Sequence, residues 1–161
     1  MHLTTPSYRL DEFAATLPPH GRLMALDVGT VTIGVALSDA SRMIATPDFT
    51  ITRTVWKQEA EQLNAIITEH RIGGIVIGYP LNMDGSAGVR AQSTRAFARN
   101  TLTKFKLPVL LWDERLSTAA VTRMMIDEAD LSRARRDELV DKLAASYILQ
   151  GVLDGLGFAA K

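Results

Sequence analysis

The chain has 161 residues, 47% of them apolar, which is enough for one compact domain with a substantial core. Lys plus Arg and Asp plus Glu each total 18, so no global polycation signal exists and contact with a polyanion must rely on local patches. Cysteine is absent, which excludes disulfides, zinc–thiolate sites and thiol catalysis; His2, His20 and His70 form no ligand-spaced cluster, so any metal would be a hard ion held by oxygen, such as Mg²⁺ or Mn²⁺.

In chain order, residues 1–20 mix Thr, Pro, Ser and charge without sustained periodicity and close on Pro18-Pro19. They read as an N-terminal extension, partly ordered at best, ahead of a domain over residues 21–157. The chain does not start with a basic head and an apolar run, and no segment nears the roughly 20 apolar residues that span a bilayer. A soluble cytoplasmic protein without membrane contact is therefore expected. Leu23-Met24-Ala25-Leu26, Val35-Ala36-Leu37 and the alternating Phe49-Thr50-Ile51-Thr52 predict three strands with short connections, an antiparallel meander.

Trp56, Ala60, Leu63 and Ile67 stand at helical spacing over Trp56 to His70, and Gly73-Gly74 precede the strand Ile75-Val76-Ile77. A second helix is predicted over roughly Gly88 to Thr103, and Pro108 introduces the strand Val109-Leu110-Leu111-Trp112. Ser117 or Thr118 caps a third helix running through Met125. Asp127 to Arg136 reads as a polar loop of mixed charge, and a last helix starts near Asp137. Meander, two helix–strand units and closing helices together predict an α/β fold whose mixed five-stranded sheet joins the meander to two parallel strands and is flanked by helices.

Candidate chemistry lies where strands end. Asp27, in Asp27-Val28-Gly29-Thr30, would project from the end of the first strand, with Gly29 allowing close approach of a metal or phosphate and Thr30 beside it. An Asx turn before a hairpin explains the same Asp equally well. In Trp112-Asp113-Glu114-Arg115-Leu116 two adjacent acids follow a strand; Glu114 is the first choice to reach a metal and Asp113 the reserve, with Arg115 able to contact phosphate bidentately. An exposed turn into a capped helix is the competing explanation. Asp141 shares a helical face with Ala144, Ala145, Ile148 and Val152, a carboxylate on an apolar stripe whose alanines let the helix lie close to the sheet. If Asp141 instead lay in the first helical turn, it would merely complement the helix dipole.

Combined, Asp27, Glu114 (or Asp113) and Asp141 supply the oxygen-only coordination of a two-metal hydrolytic site. Basic residues stand where a polyanion would lie. No acid occurs from Gly85 to Pro108, where Arg90, Arg95 and Arg99 accumulate; Gln92, Arg95 and Arg99 share one helical face. Arg133, Arg135 and Arg136 form a second cluster on the polar loop, and Asn82 sits in the turn Tyr79 to Ser86 at the same edge. A solvated helix face is the commoner meaning of such runs.

At these residues the sequence resembles the YqgF/RuvX family of ribonuclease-H-like proteins, described as nucleases of pre-16S ribosomal RNA and earlier as Holliday junction resolvases. The matching segments are Leu26-Asp27-Val28-Gly29-Thr30 with Ile33-Gly34-Val35-Ala36, Ile77 to Gly85, Leu111 to Thr118 and Asp141 to Gln150. Val28 stands where an aromatic residue is frequent and Tyr79 where leucine is. The resemblance implies a ribonuclease-H-like fold and a metal-dependent nuclease using Asp27, Glu114 or Asp113, and Asp141. It also implies a role in maturing the 5′ end of small-subunit ribosomal RNA, with structured RNA or branched DNA as the partner. Two other classes stay open: an ATPase of actin-like or sugar-kinase-like type, for which the chain has only one domain's length, and a non-catalytic nucleic-acid-binding or ribosome-assembly module.

Overall fold

A computed structural model describes residues 4–116 and 133–159. After a short helix α1 (Leu10–Thr16) come β1 (Arg22–Val28), β2 (Thr32–Ser38), β3 (Ala45–Thr52), α2 (Trp56–His70), β4 (Ile72–Tyr79), α3 (Val89–Phe105), β5 (Val109–Asp113), a 3₁₀ turn (Glu114–Leu116) and a helix α4 (Arg133–Ala159). The five strands form one sheet in the order β3-β2-β1-β4-β5. β1 pairs antiparallel with β2 and β2 with β3, whereas β4 runs parallel to β1 and β5 parallel to β4. This is the mixed five-stranded sheet, an antiparallel meander joined to two parallel strands, that the order of predicted elements led one to expect.

The central strands read as continuous apolar runs because both of their faces are covered. On one face Met24, Leu26, Val35, Leu37, Ile75, Ile77 and Leu111 meet α2 and α3 through Leu63, Ile66, Phe97 and Leu102. On the other, Leu23, Ala25, Ala36, Val76 and Leu110 meet α4 through Ala144, Ala145, Ile148, Leu149 and Val152. Side chains of a strand alternate between faces, so residue parity alone assigns each position to one helical layer. Helices α2 and α3 close on Arg71 and Lys106, whose φ values of 53° and 55° are the left-handed cap that stops a helix.

Two expectations change. The segment ahead of Arg22, read as partly ordered at best, holds α1, whose Phe13 is fully buried between Leu23 and α4. Ser7 runs parallel to β5, its amide donating to Val109 O (2.8 Å) and its carbonyl accepting from Leu111 N (2.8 Å). The extension thereby covers an edge strand that would otherwise offer unpaired backbone to other chains. The closing helix starts at Arg133 rather than near Asp137, so Arg133, Arg135 and Arg136 belong to its first turns and not to a loop. Their mixed charge resembled a loop, yet Ala, Arg, Glu and Leu are all strong helix formers. The third helix predicted from Ser117 or Thr118 through Met125 lies outside the described residues. Among the described residues no helix is long and apolar enough to cross a membrane.

The β2–β3 turn is organised by Asp39, whose carboxylate accepts from the Ser41 hydroxyl and from the amides of Met43 and Ile44, both at 2.8 Å. The Ser41 hydroxyl, and after it the two amides, hold this carboxyl well below the usual carboxylate range. A lowered folded-state pKa stabilises fully above the unfolded value, near pH 4, and loses its effect as pH falls toward the lowered one. Thermal melts of Asp39→Ala should therefore show a Tm deficit at pH 7 that narrows steadily below about pH 4; a deficit independent of pH would contradict this account of the turn.

Candidate active site

Asp27 is the last α4-facing residue of β1, continuing the alternation Leu23, Ala25, and its exposure is 1%. Asp141 is the ninth residue of α4, well inside the helix, which removes the explanation that it merely complements the helix dipole. Its stripe-mates Ala144, Ala145, Ile148 and Val152 are all fully buried, so the face carrying the acid is turned to the sheet as its spacing predicted. Glu114 opens the 3₁₀ turn directly after β5 and is buried as well. All three acids are thus buried residues that reach the α4 face of the sheet at the carboxyl ends of the parallel strands.

Glycine makes room for them. Asp27 pairs in register with Gly34 of β2, and on its other side the parallel register Leu26 to Ile77 brings Gly78 alongside one residue later. A Cβ on Gly34 would stand 2.0 Å from the Asp141 carbonyl oxygen, so the α4 backbone rests directly on β2. A Cβ on Gly78 would stand 2.8 Å from Glu114 Oε1, and one on Gly29 would stand 2.5 Å from Asp141 Oδ2. Asp141 therefore lies over β2 and the β1–β2 turn, and Glu114 over β4, with Asp27 on the strand between them. At the usual spacing of neighbouring strands those two flanking positions are only about 10 Å apart. Thr32 Oγ1 donates to Asp141 Oδ2 at 2.5 Å and fixes that carboxylate against the turn. Among the described residues, no three His, Cys, Asp or Glu side chains stand close enough together to form a finished metal cage.

The two neighbouring acids after β5 divide by parity. Asp113 pairs with Tyr79, on the sheet face opposite to α4, and does not join Asp27. It takes the Arg115 guanidinium instead, with Nε at 3.0 and 3.1 Å and Nη2 at 2.7 Å. The Arg115 hydrogen bonds hold the Asp113 carboxyl below its ordinary range. Arg115 Nη1 also donates to Met83 O (3.2 Å), so this arginine ties the β4–α3 loop to the end of β5. Asn82 serves the same loop, donating from Nδ2 to Ser86 Oγ (3.0 Å) and accepting at its carbonyl from Gly85 N (2.8 Å).

The other proposed contacts to nucleic acid fall on three places. Thr30 and Arg90 line a cleft of about 570 Å³ with Val28, Gly29, Arg53, Thr54 and Ser93. Arg95 is half-buried and Arg99 exposed farther along α3, while Arg133, Arg135 and Arg136 lie at the start of α4. Sequence reasoning missed Arg53, Glu59 and Thr32. Arg53 donates from Nε to Glu59 Oε2 and from Nη1 to Gly29 O, each at 2.8 Å, and its guanidinium carbon lies 5.7 Å from the Phe97 ring centroid. Glu59, 2% exposed, also accepts from Thr54 N. It shares a buried helical stripe with Leu63 and Ile66, the same signal of an acid among apolar residues that marked Asp141.

A family model described as "RuvX: Holliday junction resolvase" matches residues 21–155. The chain belongs to the RuvX family. Curated relatives of this RuvX chain carry the name "Putative pre-16S rRNA nuclease". One from Cereibacter sphaeroides is 56% identical over 153 residues, 95% of each chain. Another from Rhodospirillum rubrum is 54% identical over 94% of each, and one from Caulobacter vibrioides is 52% identical over 94% of this chain and 97% of its own. Among solved structures, RuvC of T. thermophilus in complex with a Holliday junction substrate aligns with a TM-score of 0.48 at 11% identity, covering 86% of this chain and 97% of that one. That likeness is too slight to bear on the chemistry.

Two substitutions test how the acids are seated. Gly34→Ala forces a methyl group into the α4 backbone and should destabilise by about 1–3 kcal/mol in urea unfolding, the range for overpacking a tight contact. Thr32→Val keeps the shape but removes the donor to a carboxylate, which should cost about 1.5–3 kcal/mol by the same measurement. An unchanged urea midpoint in either variant would contradict the contact it removes.

Proposed function

We propose that this RuvX chain is a metal-dependent nuclease hydrolysing phosphodiester bonds, with the precursor of 16S ribosomal RNA as substrate and Asp27, Glu114 and Asp141 as the catalytic carboxylates. The observation that carries the proposal is the placement of three buried acids, from two strand ends and a helix, on one face of the sheet with glycines cleared beneath them. The relatives named as pre-16S rRNA nucleases and the resolvase family description both point to phosphodiester hydrolysis. Asp113, turned to the other face and engaged by Arg115, is left as a support for the loop.

The donor set fits hard divalent cations. It is made of carboxylate oxygens alone, with no thiolate and no histidine among the three, and it lies where a Cβ on Gly29 or Gly78 would intrude. Bound Mg²⁺ or Mn²⁺ would supply an activated water and charge neutralisation at the leaving oxygen. The chain's part is placement. Asp27 projects from a strand paired on both sides, Thr32 orients Asp141, and the Gly34 contact fixes the height of α4 above the sheet. Such rigid support is what a site needs to hold reacting groups within tenths of an ångström. Thr30, Asn82, Arg90, Arg95, Arg99, Arg115, Arg133, Arg135 and Arg136 are proposed to face the polyanion around this centre. For Asn82 and Arg115 that role is indirect, through the loop they hold.

The test is cleavage of precursor 16S RNA by the purified protein with Mn²⁺, run beside a synthetic four-way DNA junction. Asp27→Asn, Glu114→Gln and Asp141→Asn should each slow cleavage at least about a hundredfold, the loss of some 2.7 kcal/mol of transition-state stabilisation, while RNA binding persists. Asp113→Asn should cut at a rate within about tenfold of the parent. Cutting of the junction alone would move the substrate to branched DNA with the same carboxylates. No metal-dependent cutting of either would leave a binding module.

A further inference from the structure

The cleft beside Asp27 is not part of the carboxylate cluster. It opens on the α3 side of the β1 end, and its walls are the β1–β2 turn (Val28, Gly29, Thr30), the β3–α2 junction (Arg53, Thr54) and the first turns of α3 (Val89, Arg90, Ser93, Thr94). Two guanidinium groups and four hydroxyl-bearing residues line it, and no acid does. Its volume of about 570 Å³ exceeds what one or two waters need. Arg90 reaches the strand end itself, with Nη2 at 3.4 Å from Val28 O, one residue beyond Asp27.

The two arginines differ in what they have left to give. Arg53 is committed to Glu59 and Gly29 O, so its charge is already matched and its task is to hold the wall in place. Arg90, exposed and with no ion pair among the described residues, keeps a full positive charge at the cleft. The α3 segment behind it adds no opposing carboxylate, since its first turn holds no acid. A pocket that sets hydroxyl groups around one cation, with no acid in its walls, suits a tetrahedral oxyanion.

We propose that this cleft seats a backbone phosphate of the nucleic-acid strand next to the phosphate placed at the carboxylates, with Arg90 as its charged contact, Ser93 and Thr54 as hydroxyl donors, and Arg53 as the positioning residue. The assignment rests on the nuclease reading for its neighbour but not for its own test. A strand crossing the carboxyl edge of the sheet passes from Asp27, on one side of β1, to Val28 and the cleft on the other. Two adjacent phosphates then define direction and register, which backbone contacts do in nucleic-acid recognition. Fixing the neighbouring phosphate decides which bond meets the acids.

The experiment measures binding of a structured RNA oligonucleotide across a salt series without divalent metal, so that no strand is cut. Each neutralised phosphate contributes about 0.7–0.9 to the slope of log affinity against log salt. Arg90→Gln should lower the slope by that amount, whereas Arg71→Gln, an equal loss of charge at the opposite end of the sheet, should leave it unchanged. Ser93→Glu, an acid placed at the cleft on an exposed helix position, should weaken binding at least tenfold. Equal slopes for Arg90→Gln and the parent, or an equal fall in Arg71→Gln, would overturn the assignment. So would displacement of the RNA by micromolar nucleoside monophosphate, which would make the cleft a seat for free nucleotide. Failure of metal-dependent cleavage with these binding differences intact would sink the nuclease reading and leave the cleft standing.

Discussion

The contact on which the rest depends is that of α4 with β2 at Gly34, where the helix backbone carrying Asp141 rests on a strand with no side chain between them. Any larger residue there would lift the helix and with it the acid. One turn on, Ala144 and Ala145 are buried in the same layer as Ala36 of β2 and Ala25 of β1. The cluster of small residues gives up apolar area that larger side chains would have buried, so its return is positional. It brings a helical carboxylate to the level of a strand-end carboxylate far away in the chain.

The same economy governs the other side of the site. A residue's face on a strand follows its parity, so the change from β5 into a 3₁₀ turn matters. Asp113, still in the strand, lies opposite Tyr79 and turns away; Glu114, the first residue of the turn, swings over Gly78. Arg115 then closes on the carboxylate of Asp113, and its backbone amide bonds the same oxygen. The turn that aims Glu114 is thus held from both ends, by a strand ladder before it and by an ion pair after it.

Much of this was legible in the residues. Continuous apolar runs mark the buried strands, the helical spacing over Trp56–His70 matches α2, and of the two explanations open for Asp141 the apolar stripe is the one that agrees with its burial against the sheet. What remained hidden has a common physical cause: it depends on contacts between segments distant in sequence. Nothing local in residues 1–20 tells that Phe13 joins the core layer formed with α4 or that Ser7 extends the sheet at β5. Nothing in Arg53 tells that it bridges Glu59 and Gly29 O, although an acid on the buried stripe of α2 was a visible sign that a cation must meet it. The start of α4 is hidden because Arg133 to Asp137 carries mixed charge and no apolar stripe, while its helix propensity is only a weak local signal.

Two kinds of departure from ordinary folding rules coincide in this molecule. Glycine weakens a strand, and buried acid is costly unless compensated, so neither is favoured in the middle of an otherwise apolar sheet and helix. Gly34 and Gly78 nevertheless flank Asp27 on both neighbouring strands, and Asp141 and Glu114 lie over those same two glycines. Folding alone would have placed valine and alanine there, as it does one level down at Ala36, Ala25 and Val76. Local rules are broken together at one place in the molecule, and the surrounding packing bears the cost. The buried carboxylates and the withheld side chains thus share one level of the sheet, at the carboxyl ends of β1 and β4.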